Sequence, residues 1–350
     1  MRINILGRGT AGRSVRDLAP SVWYRTPHEH RDVGVMTMQA ALSGAATAHS
    51  NAAGPALARC PVCRIERFAP RFAVKGMAIE ACSGCGLVVQ NPQPSDDQLA
   101  TIYGSNYFIG SAENDPLGTQ FDLVKRATAS LQLDEIAAFL GRRGRTAGGL
   151  SLLEVGCGHG NMLLEARDQG YEVHGLEYSA DAARVANRKL GAGVVRVVAI
   201  GDDTFPQESF DICVLADVIE HVRDPADFLE GVRRVLKPDG VVFIATPSTD
   251  SWSARLLGRH WMEYKPEHLF YFNAGTLTRL LKRSGFDGIE ISSGRKVLTL
   301  DYVIGHFDKF PVPMLSRVFG AIRAVTPAAL LGKPLKLTAS GINVLAVKRG

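Results

Sequence analysis

The stretch Leu152-Leu-Glu-Val-Gly-Cys-Gly-His-Gly160 constrains this chain more than any other. A short apolar run suited to a buried strand leads into glycines at 156, 158 and 160, then into a helical period over 161–168. Glycines there let the backbone bend sharply and let a ligand come where a β-carbon would stand. The helix N-terminus behind them offers free N–H groups. The dinucleotide fingerprint asks for glycine or alanine where this chain has Asn161, which disfavours NAD. Glu177 ends the next strand 17 residues after Gly160, a place from which an acid can accept both hydroxyls of a ribose.

The alternation continues. Strands are predicted at 152–155, 172–176, 194–198, 210–215, 241–245, 289–291 and 342–347, with helices at 161–168, 180–190, 226–236 and 276–284 between them. Units of this length make crossover connections, so the expected fold is α/β: a doubly wound, mostly parallel seven-stranded sheet covered on both faces. The last strand is placed antiparallel at its edge. Polar residues recur at the carboxyl ends of the strands, as Glu177, as Gly201-Asp202-Asp203 and as Ala216-Asp217-Val-Ile-Glu-His221. Open α/β sheets bind ligands in that crevice.

Four of the six cysteines fall in 26 residues, as Cys60-Pro-Val-Cys63 and Cys82-Ser-Gly-Cys85. Two tight turns of this kind aim four thiolates at one point, the closed tetrahedral set of a structural zinc site. Residues 60–94 are therefore read as a separate zinc ribbon, too small to be stable on its own core. A disulfide pair needs an oxidising compartment, and a redox Cys-x-x-Cys needs no second copy, so zinc is the favoured reading. Cys157 and Cys213 fall in the sheet region and are read as small buried residues.

Residues 1–59 hold seven arginines, three acids and no sustained apolar period, and are read as a disordered tail or as sequence upstream of a start at Met36 or Met38. They lack the apolar core of a secretory signal, and no stretch has the ~20 apolar residues of a membrane span, so a cytoplasmic protein is expected. Residues 95–149 form a helical linker and 150–350 the main domain, with acceptor-side segments at 250–275 and 299–337. The net charge of +5 divides unevenly: +4 over 1–59, +7 over 309–350 and −6 over the remainder.

Leu153-Glu-Val-Gly-Cys-Gly-His-Gly160, Leu176-Glu-Tyr-Ser179, Ser209-Phe-Asp211, Asp217-Val-Ile-Glu-His221 and Leu236-Lys-Pro-Asp-Gly-Val242 together resemble the motif series of class I S-adenosylmethionine-dependent methyltransferases. The resemblance covers about 150–348. The cysteine module, with Gly86-Leu, Asn91-Pro92, Tyr103 and Tyr107, further resembles the subgroup carrying an N-terminal zinc ribbon. The resemblance implies a Rossmann-like fold and assigns roles. Glu154 would meet the methionine part of the cofactor, and Gly156, Gly158 and Gly160 would wrap it. Glu177 would hold the ribose, Tyr178 would flank the adenine, and Asp202, with Asp203 as competitor, would sit near the adenine amine. Ala216 and Asp217 would line the cofactor wall.

A sulfonium methyl is already activated, so such an enzyme mainly aligns an acceptor lone pair and excludes water, and an alcohol or phenol must also lose a proton. His221 and His268 are the candidate bases, with His260, Tyr264 and Glu267 nearby; the structural readings are a hydrogen bond beside the cofactor for His221 and a cap of the helix beginning near Ala274 for His268. The run Trp261 to Phe272 mixes aromatic and polar groups, which suits a small-molecule, sugar or glycan-type acceptor methylated at oxygen. The alternatives are an RNA methyltransferase that binds through the ribbon, and a fold that binds the cofactor without catalysis. The acidic balance of 60–308 speaks against nucleic acid. Residues 311–337 combine apolar residues at helical spacing with Arg317, Arg323, Lys333 and Lys336. They are read either as a helix touching an anionic membrane or, preferred, as a crossover packed on the sheet.

Overall fold

The computed structural model describes residues 54–103, 116–201, 204–309 and 315–350. The expectations for 1–53, Tyr107, Asp202, Asp203 and 311–314 lie outside the described residues.

Among the described residues, eleven strands form two sheets. β1 (Phe68–Val74), β2 (Met77–Cys82) and β3 (Val88–Gln90) precede β4 (Ser151–Val155), β5 (Glu172–Glu177), β6 (Val195–Val197), β7 (Phe210–Ala216) and β8 (Leu236–Pro247). β9 (Phe270–Tyr271), β10 (Phe286–Thr299) and β11 (Pro334–Lys348) follow. The main sheet has the order β10-β11-β8-β7-β4-β5-β6. β8, β7, β4, β5 and β6 are mutually parallel, and β11 is antiparallel to both of its neighbours.

A period of two divides the central strands between two cores. Leu152, Ile212, Val214, Val241 and Phe243 face helices Pro116–Gly141, Asn161–Asp168 and Ala180–Leu190. Leu153, Val155, Cys213, Leu215, Val242 and Ile244 face helices Pro225–Val235 and Ala274–Arg283. With both faces covered, these strands read as apolar runs, and Cys157 and Cys213 are buried among them as expected.

Four expectations need correction. The last strand is not at the edge: β11 lies one position in, and β10 is outermost. Val344, Leu345 and Ala346 are buried on both faces, whereas β10 carries the exposed Ile291, so the more apolar strand takes the interior. Nor is the cysteine module separate. β3 pairs with β9, which closes the four-stranded sheet β1-β2-β3-β9, and Cys60, Val62, Leu87 and Val89 belong to the same core as Phe270 and Phe272. The end of the expected tail is also docked. The Leu57 N–H donates to Asn91 Oδ1 at 2.8 Å, and Leu57 packs on that core. Finally, 311–337 is not one helix: helices Leu315–Val325 and Ala328–Leu331 are followed by β11, which takes Lys336 into pairing with Val297. Among the described residues no helix is long and apolar enough to cross a membrane.

Candidate active site

β4 delivers the glycine loop to the carboxyl end of the sheet. Gly156 and Gly160 have φ of 72° and 75°, and a β-carbon on them would stand 2.7 Å from Val218 Cγ2 and 2.9 Å from Leu190 Cδ1. Left-handed backbone and close approach together require glycine at both. Glu177, at the end of β5, is buried and clasped to this loop: the Gly158 N–H donates to Oε2 at 2.7 Å and the Ser179 N–H to Oε1 at 2.8 Å. A carboxylate offers about four acceptor positions, so both oxygens keep capacity for hydroxyl donors. Burial raises its pKa, and the N–H groups of Ser179 and Gly158 oppose that.

Glu154 lies one strand over and is only 5% exposed. Its Oε2 has no hydrogen-bond partner among the described residues. Burial and the neighbouring Glu177 push this carboxyl well above the usual range, against the pull of Lys125. An orphaned buried carboxylate beside a glycine loop is complementary to a ligand that brings a donor, above all a cationic one. Tyr178 and Ala216 are half-buried at the same end of the sheet.

Asp217 follows β7 with φ of 56°, a left-handed conformation uncommon for this residue and frequent at functional sites. Lys296 Nζ donates to both carboxylate oxygens, at 3.0 and 3.1 Å. Burial would raise the Asp217 pKa, but Lys296 and Lys125 outweigh it and hold the group at about 2. Lys296 lies on β10 beyond the main sheet, where 295–299 pair only with 334–338. Nothing in its sequence neighbourhood marks it, because the hairpin alone carries it there.

The two candidate bases meet. The rings of His221 and His268 are 4.7 Å apart, edge to face. His221 Nδ1 lies 3.0 Å from the Glu267 carbonyl and 2.8 Å from the Tyr103 hydroxyl. A carbonyl only accepts, so Nδ1 carries the proton and Nε2 the lone pair. Burial lowers the His221 pKa to about 4. The same cause, reinforced by His221, holds His268 well below its ordinary value. His268 does not cap the following helix; Asn273 does, accepting from the Thr276 N–H. Of the other candidates, His260 is exposed and Glu267 contributes its carbonyl to His221. Tyr264 packs with Trp261, Tyr271 and Phe72 beneath the small sheet. The residue overlooked in sequence is Glu220, whose signal was its place beside His221. It is 1% exposed, accepts from Thr246 Oγ1 on Oε2, and is raised to about 8 by burial and by Asp217.

At the cysteine module the Sγ atoms of Cys60 and Cys85 are 3.6 Å apart, and those of Cys63 and Cys82 3.4 Å. All four lie within 4.8 Å of one another. A disulfide would need ~2.05 Å, whereas four sulfurs around a tetrahedral zinc stand about 3.8 Å apart. The donor set fits a structural zinc ion and leaves no position open for chemistry.

Residues 124–291 match the family model described as a methyltransferase domain, a span that takes in the glycine loop, Glu177, Asp217, His221 and His268. Over this stretch the chain is similar to methyltransferase domains. A Mycolicibacterium smegmatis protein named for S-adenosylmethionine-dependent methyltransferase activity is 32% identical over 139 residues, 40% of this chain and 52% of its own. A Caulobacter vibrioides protein named ubiquinone biosynthesis O-methyltransferase is 31% identical over 150 residues, 36% of this chain and 58% of its own. The chain thus spans little more than half the length of these relatives. Among solved structures, the YcgJ protein of Bacillus subtilis aligns with 61% of this chain and 99% of its own, at 18% identity and a TM-score of 0.41. The match leaves out the cysteine module and Lys296.

Proposed function

We propose that this protein binds S-adenosylmethionine at the carboxyl ends of β4, β5 and β7 and transfers its methyl group to an oxygen of a small-molecule, sugar or glycan-type acceptor. The observation that carries the reading is Glu154, a buried carboxylate with an unpartnered oxygen beside a left-handed glycine loop. It would take the cationic methionine end of the cofactor. Glu177 would accept the ribose hydroxyls on the lone pairs that Gly158 and Ser179 leave free. Tyr178 and Asp202 would flank the adenine, and Ala216 and Asp217 would form the wall. The bound sulfonium supplies an activated methyl group, so the remaining work is alignment and exclusion of water. His221 and His268 face the acceptor in this arrangement, and the name of the Caulobacter relative supports transfer to oxygen. Cys60, Cys63, Cys82 and Cys85 would hold a structural zinc ion that keeps the small sheet against the acceptor side.

Glu177→Ala tests the cofactor assignment. Calorimetry should show affinity for S-adenosylmethionine falling by at least about 100-fold, since two buried hydroxyls lose a charged acceptor. Unchanged affinity would sink it. Labelled methyl from S-adenosylmethionine should appear in small-molecule or glycan fractions of an extract, and incorporation confined to RNA would overturn the acceptor class.

A further inference from the structure

The rings of His221 and His268 meet edge to face, 4.7 Å apart, beside the buried Glu220. One ring nitrogen of His221 is occupied by backbone: Nδ1 faces the Glu267 carbonyl at 3.0 Å. Imidazoles that bind metals are oriented in this way, with the outer nitrogen fixed by a carbonyl and the inner lone pair presented. The inner groups are orphaned. His268 Nδ1 and Glu220 Oε1 are fully buried without a hydrogen-bond partner among the described residues, although their side chains are only 4% and 1% exposed. His221 Nε2 lies 4.0 Å from Glu220 Oε1, and the ligand atoms of all three residues fall within 4.8 Å of one another. Bonds of ~2.1 Å to one ion would bring such atoms to about 3–4 Å, an adjustment of about an ångström. Thr246 holds the other carboxylate oxygen at 2.9 Å, which fixes the direction of Oε1.

The geometry points to a second metal centre, in which Glu220, His221 and His268 bind a divalent first-row transition cation on the acceptor side of the cleft. Two imidazoles and one carboxylate suit such ions better than magnesium or calcium. Three protein ligands leave coordination positions open, unlike the four-sulfur site. An acceptor oxygen entering an open position would have its hydroxyl pKa lowered by the ion. The place of this centre next to the acceptor rests on the proposed function; the existence of the centre does not.

The test is a titration of the full-length protein, its thiolate site filled with zinc, with cobalt(II) chloride. Calorimetry should show one further equivalent of cobalt, with the weak visible absorption of nitrogen and oxygen ligands and no thiolate charge-transfer band. His268→Ala and Glu220→Gln should each weaken this binding at least about tenfold. In the wild-type protein, which needs no substitution, bound cobalt should shift exchangeable imidazole proton resonances from two histidines outside the diamagnetic range. The proposal is overturned if no equivalent binds beyond the thiolate site, if both variants bind as the wild type does, or if no imidazole resonance shifts. S-adenosylmethionine affinity, measured on the same samples, separates the two readings: cobalt binding with no cofactor binding would leave this centre standing and remove the proposed function.

Discussion

At the scale of single residues, this fold uses acids for opposite ends. Glu154 and Glu220 are buried with an oxygen left over, which makes them complementary to something the chain does not supply. Asp211 is half-buried and fully used. It accepts from the Ser151 N–H and hydroxyl, from Lys237 and from Arg145, and so ties β7 to the start of β4. Burial would raise its pKa, but Lys237 and Ser151 more than reverse that and the net shift is downward. A carboxyl whose folded pKa lies below its unfolded value of ~3.9 stabilises the fold above that pH and loses its effect as pH falls through the depressed value. Asp211→Asn is therefore expected to cost about 1–3 kcal/mol at pH 7 in urea unfolding, with the difference from wild type shrinking below about pH 4. A difference independent of pH would show that the ion pairs contribute nothing. Asp211 and the glycines were legible as members of a motif series. The sequence did not separate a fully paired acid such as Asp211 from one with an unpartnered oxygen such as Glu154, because that depends on which donors from distant strands reach each oxygen.

At the scale of elements, alternation and apolar period predicted most strands and helices to within a few residues. Helices Asn161–Asp168 and Ala180–Leu190 lie where the apolar period puts them. The misread elements are those whose extent is set by pairing. β10 and β11 continue far beyond their predicted cores because each satisfies the other's backbone, and this extension brings Lys296 to Asp217. The cysteine module likewise depends on its partner. β3 and β9 share a short antiparallel ladder, and Trp261, 1% exposed, is packed with Met77, Ile79 and Val88. Stripping the thiolate metal with a chelator should loosen this sheet, since a module of this size has little core of its own. Tryptophan emission should move to longer wavelength and return when zinc is restored. Release of zinc without any change in emission would refute the coupling.

At the scale of the whole molecule, the cysteine module and the α/β domain share one core. Leu87 and Val89 lie in the same apolar cluster as Leu269, Phe270, Phe272 and Leu277, and the Val62 carbonyl accepts from Arg283 at 2.5 Å. A chain beginning at residue 116 would leave that face of the domain uncovered. It is expected to aggregate, or to melt well below the full-length protein, and a cooperative transition at the full-length temperature would show that the domain is independent. The charge distribution supports the same division of labour: the described cleft belongs to the acidic portion of the chain, while the excess of Lys and Arg lies toward both ends. What the sequence by itself determined was the kind of sheet, its two buried faces, the glycine loop with the acid at the end of the next strand, and the four-sulfur set. Each follows from the identity and spacing of residues within one turn or one strand, where sterics and burial act locally. What only the tertiary structure decided was the order of β10 and β11, the fusion of the module through β9, the pairing of Lys296 with Asp217, and the meeting of Glu220, His221 and His268. These depend on which of several similar apolar faces pair, and that choice rests on small differences summed over many distant contacts.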